Sequence, residues 1–253
     1  MPLEIVTVPC LSDNYAYLVK GPEGAILIDA PEAAPIEAAL DARGWTLDAI
    51  LITHHHHDHV GGIAALRARY GCTVIGPRAE AARIDGLDQL VGGGDEFSIA
   101  GVGVHVIDVP GHTLGHIAFY MPQAQAAFTA DSLMALGCGR LFEGDAAMMW
   151  ASMQRLMALP ADTMICSGHE YTSANARFAL TIEPQNAELK SRSDAIAKAR
   201  TEGRATASCA LSEELATNPF LRPDSPEIRE RLGLTEATDA VVFAEIRARK
   251  DRF

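Results

Sequence analysis

The sequence predicts an α+β protein, on three observations. Short apolar runs alternate with helical spacing over the first two thirds of the chain. One of those runs passes directly into a histidine-rich segment at His54. After about Tyr171 the pattern becomes helical, richer in charge and poorer in strand signals.

Gly24-Ala-Ile-Leu-Ile-Asp29 follows a Gly/Pro turn and is short and apolar, which predicts a buried strand. Pro35 to Arg43 has helical spacing through Ile36, Ala39 and Leu40. Asp48-Ala-Ile-Leu-Ile-Thr53 is a second buried strand. Ile63 to Tyr70 is a helix stopped by Gly71, and Thr73-Val-Ile75 is a strand. Val102, Val104 and Val106 alternate with Gly103 and His105, the pattern of a half-buried strand. Ile117–Tyr120 and Ala126–Thr129 predict two strands joined by a turn containing Pro122. Thr163-Met-Ile-Cys-Ser167 is a further strand. Asn175 to Lys198 predicts one or two helices, and Asp239 to Lys250 a terminal one. A domain boundary is placed at residue 172, giving parts 1–172 and 173–253.

A chain of 253 residues that is 48% hydrophobic can bury a large core. Its formal net charge of −12 disfavours nucleic acid and anionic membranes as partners. An anionic ligand therefore needs a local basic patch. The aromatic fraction of 6% also weighs against a base-stacking surface. No apolar run approaches the roughly 18 residues of a membrane span, and MPLEIVTVPC lacks the basic and apolar regions of a signal peptide. The cysteines at 10, 72, 138, 166 and 209 are odd in number, widely spaced and without CxxC. That suits reduced thiols, so a cytoplasmic protein is expected, without a disulfide framework.

The chemistry centres on Thr53-His54-His55-His56-His57-Asp58-His59-Val60-Gly61-Gly62. Residues two apart in an extended segment point the same way, so His54 and His56 can face one ion. Asp58 and His59 follow at a turn and can face its neighbouring side. His55 and His57 alternate away and are read as exposed or supporting groups. Imidazole and carboxylate ligands suit zinc, with iron or manganese as alternatives. A functionless polyhistidine loop explains less well why such spacing sits between a buried strand and a glycine pair.

Further ligands are expected from distant strand ends. His112 lies in Val109-Pro-Gly-His112-Thr-Leu-Gly-His116 just after a strand, with His116 as its competitor. Asp131 ends the strand of Phe128-Thr-Ala-Asp131-Ser, where a helix-cap or turn role competes. His169, in Ser167-Gly-His169-Glu-Tyr171, competes with a turn histidine.

This H-x-H-x-D-H segment, with His112, Asp131 and His169 in order, resembles the metallo-β-lactamase superfamily over residues 1 to about 170. The resemblance implies a four-layer αβ/βα sandwich with metals at one edge of the sheets. It also implies that His54, His56 and His112 hold a first metal, Asp58, His59 and His169 a second, and that Asp131 bridges them. Further segments narrow the likeness: Asp13-Asn14-Tyr15, Gly137-Cys-Gly-Arg140-Leu-Phe142-Glu-Gly144, Gly168-His-Glu-Tyr171-Thr172, Asn218-Pro-Phe-Leu-Arg222 and the ending Arg247-Ala-Arg-Lys250-Asp. Over the full chain these resemble the hydroxyacylglutathione hydrolases, or glyoxalase II.

That family resemblance implies hydrolysis of S-(2-hydroxyacyl)glutathione thioesters such as S-D-lactoylglutathione, in methylglyoxal detoxification, by a monomeric enzyme whose C-terminal helical part recognises glutathione. Arg140, Phe142, Tyr171, Arg247 and Lys250 occupy its substrate-binding positions. Arg140 stands where lysine is common, which keeps the charge and changes the fork geometry. Phe142 stands where tyrosine is often found and lacks a hydroxyl. A covalent role for Cys138 is not expected between its two glycines. Two divalent metals would lower the pKa of a shared water towards about 7, with Asp131 bridging and Asp58 available to take a proton. The main alternative is a glutathione persulfide dioxygenase with a single iron. A β-lactamase or lactonase leaves the C-terminal residues unexplained, the acidic charge weighs against a nuclease, and the intact ligand set weighs against a scaffold protein that has lost catalysis.

Overall fold

A computed structural model describes residues 3–253. Met1 and Pro2, the start of the segment read for a leader, lie outside the described residues. The chain divides into two compact units: one runs to Asp108 and includes Gly115–Thr129, and the other comprises Val109–Leu114 and Ala130–Phe253.

The first unit is a sandwich of two sheets. Its first sheet has six strands in chain order: β1 (Glu4–Cys10), β2 (Asn14–Lys20), β3 (Ala25–Ile28), β4 (Leu47–Leu51), β5 (Thr73–Pro77) and β6 (Gln89–Val91). β1 to β3 are antiparallel and β3 to β6 parallel. Parallel strands need crossovers, and helices supply two of them: α1 (Ala33–Asp41) between β3 and β4, α3 (Ile63–Tyr70) between β4 and β5. Strand side chains alternate between faces. Thus Leu18, Leu27, Ile50 and Val74 share one buried cluster with Ile36 and Leu40 of α1 and with Ile63 and Leu66 of α3. On the other face, Tyr17 lies 5.6 Å, centroid to centroid, from Phe128. Phe128 belongs to β10 (Ala126–Ala130), which continues an antiparallel run of β7 (Glu96–Ile99), β8 (Val102–Asp108) and β9 (Ile117–Met121).

The expected elements are present. The helix read from Pro35 begins two residues earlier, at Ala33. α3 spans the expected residues, because Gly71 adopts φ 66° and ends it. The turn at Pro122 is a short 3-10 helix.

The second unit is largely helical. It holds the two-stranded hairpin of β11 (Leu133–Met134) and β12 (Gly137–Cys138), then α4 (Ala146–Met157) and β13 (Met164–Ser167). The stretch from Asn175 to Lys198 is two helices, α5 (Thr172–Ile182) and α6 (Ala187–Thr201), with Pro184 in the break. A strand signal that the pattern did not reveal, β14 (Ser208–Ala210), pairs with β13. α7 (Leu211–Thr217), α8 (Pro226–Leu232) and α9 (Asp239–Arg252) complete it. Its aromatic core joins Trp150 of α4 to Phe243 of α9, and Phe243 to Phe220. No helix among the described residues is long and apolar enough to cross a membrane.

Candidate metal centre

β4 ends at Leu51, and the chain emerges with His54 fully buried and His56 half-buried. It then closes into the single turn of α2 (His57–Val60), which carries Asp58 and His59. Gly62 N–H donates to the Ala30 carbonyl at 2.7 Å, and Ala30 N–H to the His59 carbonyl at 2.8 Å. This close approach explains the glycine pair, since a Cβ on Gly61 would stand 2.9 Å from the Pro31 carbonyl oxygen.

Several imidazoles in this unit are oriented by neighbours. His59 Nδ1 lies 2.8 Å from Oδ2 of Asp29, a buried carboxylate that also accepts from the Thr53 N–H and hydroxyl. A carboxylate only accepts, so Nδ1 carries the hydrogen and Nε2 keeps its lone pair for a metal. His54 Nε2 and His56 Nδ1 lie 3.1 Å apart. Two ligands at about 2.0–2.1 Å from a tetrahedral zinc are separated by about 3.3 Å, so this pair matches one edge of such a site. Asp58 Oδ2 accepts from Asn14 Nδ2 at 3.0 Å and lies 3.9 Å from His59 Nε2.

His55 and His57 do turn away. His57 is exposed, whereas His55 meets Glu80: its backbone N–H and its Nδ1 lie 2.6 and 2.7 Å from Oε2. Glu80 is 2% exposed, and its Oε1 accepts from Gly115 N–H. His116 stacks on His54, with centroids 4.6 Å apart and planes at 16°, which suits a packing role.

The second unit holds His112, Asp131 and His169. Asp131 Oδ2 lies 3.3 Å from His112 Nε2 and 3.3 Å from His169 Nε2. One carboxylate oxygen thus faces two imidazole nitrogens, again at tetrahedral-edge distance. His112 Nδ1 donates to the Arg140 carbonyl at 2.8 Å, which leaves Nε2 as the acceptor. Gly168 N–H donates to the Ala130 carbonyl, setting His169 beside Asp131. Gly139 has no room for a side chain, because a Cβ there would meet the Asp131 carbonyl oxygen at 1.9 Å. Asp131 is not a helix cap, since a short hairpin follows it.

The expected substrate residues also lie in this unit. Phe142 is 61% exposed and its ring meets His112 edge-on at 5.2 Å. The guanidinium of Arg140 lies 6.0 Å above Phe142. Tyr171 stacks on His169 at 4.8 Å with planes 7° apart. Lys250 Nζ sits over Phe178 and Phe253, at 5.1 and 5.3 Å. Burial, then the neighbouring Arg247 and Arg177, push its pKa down to about 8. Arg247 differs from the others: it is 5% exposed, donates to the Cys138 carbonyl at 2.9 Å and pairs with Asp251. Burial raises the pKa of the Cys138 thiol, which disfavours its nucleophilic thiolate form.

Asn14, Asp29 and Glu80 were not assigned roles from sequence. Asp29 ends a buried strand, the same position that marked Asp131 as a candidate. Glu80 carries no such signal, because its partner is reached only through folding.

The family pattern described as "Metallo-beta-lactamase superfamily" matches residues 11–169, and that described as "Hydroxyacylglutathione hydrolase C-terminus" matches residues 170–253. A hydroxyacylglutathione hydrolase of Ruegeria pomeroyi is 61% identical, covering 100% of both chains. Among solved structures, the BLEG-1 B3 metallo-beta-lactamase is 21% identical, with a TM-score of 0.68 over 87% of this chain and 100% of its own. TTHA1623, solved in a di-iron-bound form, is 27% identical, with a TM-score of 0.62 over 86% of this chain and 100% of its own. The α+β sandwich with a smaller helical C-terminal part agrees with these matches.

Proposed function

The chain belongs to the hydroxyacylglutathione hydrolases of the metallo-beta-lactamase superfamily, and on that premise we propose how its residues divide the work. The protein is a metal-binding thioester hydrolase that cleaves S-(2-hydroxyacyl)glutathione to glutathione and a 2-hydroxy acid. The finer reading is a dinuclear centre with zinc as the first choice and iron or manganese as alternatives, acting on S-D-lactoylglutathione of methylglyoxal detoxification. His54, His56 and His112 would hold one ion, Asp58, His59 and His169 the other, and Asp131 would serve both. The observation that carries this is the single Asp131 oxygen lying 3.3 Å from both His112 Nε2 and His169 Nε2. The di-iron form of TTHA1623 supports the count of two.

Bound divalent metal supplies an acidified water near neutral pH and positive charge for the tetrahedral oxyanion. The chain does the rest. Asp29 and the Arg140 carbonyl fix the tautomers of His59 and His112. Asp58 would be the carboxylate available to accept a proton from the attacking water. The C–S bond breaks with its electron pair on sulfur. A thiol pKa near 8.5 makes the thiolate a good leaving group, so no strong general acid is needed. Lys250, Arg247 and Arg140 hold the glycine carboxylate of glutathione, and Tyr171 and Phe142 line its approach. Residues 1–172 form the metal-binding part, and 173–253 the part that recognises glutathione in a monomer.

A persulfide dioxygenase is less well supported, because the C-terminal match is to the hydrolases. The test is turnover of S-D-lactoylglutathione by metal-analysed protein, beside oxygen uptake with glutathione persulfide. Thioester cleavage without oxygen uptake is expected. Oxygen uptake without cleavage would overturn the reading.

A further inference from the structure

Asn14 is a buried amide, 4% exposed, at the first position of β2, where it pairs with Cys10 across the β1–β2 hairpin. The turn before it is held in place. Leu11 adopts φ 50°, in the left-handed region, and its N–H is accepted by Glu32. Glu32 lies three residues beyond Asp29, the carboxylate that orients His59. From this anchored hairpin the Asn14 side chain reaches 44 residues along the sequence to Asp58. Its Nδ2 carries two hydrogens and meets two acceptors of that one residue, the backbone carbonyl and Oδ2, each at 3.0 Å.

We propose that Asn14 is the positioning residue for Asp58, doing for this carboxylate what Asp29 does for the adjacent His59. The bond to the carbonyl fixes the backbone at the start of α2. The bond to Oδ2 fixes the rotamer and withdraws charge from one oxygen, so the carboxylate meets a metal in a single orientation. A neutral amide suits the task because it only donates through nitrogen and adds no charge beside a cation. An aspartate of the same shape at position 14 would offer no hydrogen and would set two carboxylates against each other. The inference rests on the reading of Asp58 as a metal ligand.

The experiment is zinc retention against a competing chelator, read as ions per chain, in wild type, Asn14→Ala, Asp58→Ala and the double variant. Groups that orient a metal ligand are worth about 10–100-fold in metal affinity. Asn14→Ala is therefore expected to weaken one of two ions by at least about tenfold and to leave the other unchanged. In the Asp58→Ala background the same change is expected to add much less, because only the bond to the backbone carbonyl remains to be lost. A role confined to folding would weaken both ions and would persist in that background, which overturns the inference. Asn14→Ser keeps one small donor and is expected to fall between wild type and alanine. It enters the same cycle if Asn14→Ala does not fold. Asp58→Ala protein that retains two ions as tightly as wild type would overturn Asp58 as a ligand, and this inference with it. Loss of an ion in Asp58→Ala, with full retention in the folded Asn14 variants, would overturn the inference alone.

Discussion

Nε2 of His169 stands 3.3 Å from Oδ2 of Asp131, the oxygen that lies equally far from His112. On the proposed reading this buried carboxylate is the one shared by the two cations. Asp131→Ala is expected to lose one ion and to lower kcat by more than the roughly 100-fold typical of losing an outer partner. Elemental analysis with steady-state kinetics checks this. A variant that keeps both ions and its rate would mean that Asp131 only shapes the turn.

Lys250 and Arg247 should separate experimentally. Lys250→Ala is expected to raise KM for a glutathione thioester about tenfold, or about 1.4 kcal/mol, and to leave kcat nearly unchanged, because it binds ground and transition states alike. Arg247→Ala should raise KM and also lower Tm, since it strips partners from the Cys138 carbonyl and from Asp251; an unpartnered buried group costs about 1–3 kcal/mol. A small thioester lacking the glycine carboxylate should show no KM change with Lys250→Ala.

The depressed pKa of Lys250, about 8 against the usual 10.5, gives a pH signature. The ammonium is charged below about 8 and neutral above it, so its hold on an anion is lost as pH rises through that value. A limb falling above pH 8 is expected in kcat/KM, which reports the free enzyme. Lys250→Arg stays cationic and should remove that limb. Stability runs the other way: between about 8 and 10.5 the unfolded chain binds the extra proton, so this group makes stability rise with pH across that window.

Much of the candidate site was legible because its residues sit at strand ends that hydrophobic runs reveal. β4 delivers His54, β10 delivers Asp131 and β13 precedes His169. The supporting shell was not legible. Asn14, Asp29 and Glu80 act across 44, 30 and 25 residues of sequence, and no periodicity marks such pairs. Arg247, expected at a substrate-binding position, is buried with partners of its own, which its place near the chain end does not announce. α4 was unread because its methionine-rich run is apolar on several sides, although Asp145, whose carboxylate accepts the Met148 N–H, is a recognisable cap.

Phe142 offers a gain-of-function test. Its ring is exposed beside His112, so a hydroxyl meets no steric barrier. Phe142→Tyr is expected to lower KM for the glutathione thioester several-fold, in line with one added hydrogen bond of about 1 kcal/mol, with little change in kcat. An unchanged KM would place the ring outside the substrate contact.

The central claim is that two metal ions, shared through Asp131, drive thioester hydrolysis. Its most direct measurement is the rate of S-D-lactoylglutathione cleavage as chelated protein is refilled with zinc, plotted against ions bound per chain. The account predicts that the rate reaches its maximum only as occupancy approaches two. Full activity at one ion per chain would contradict it.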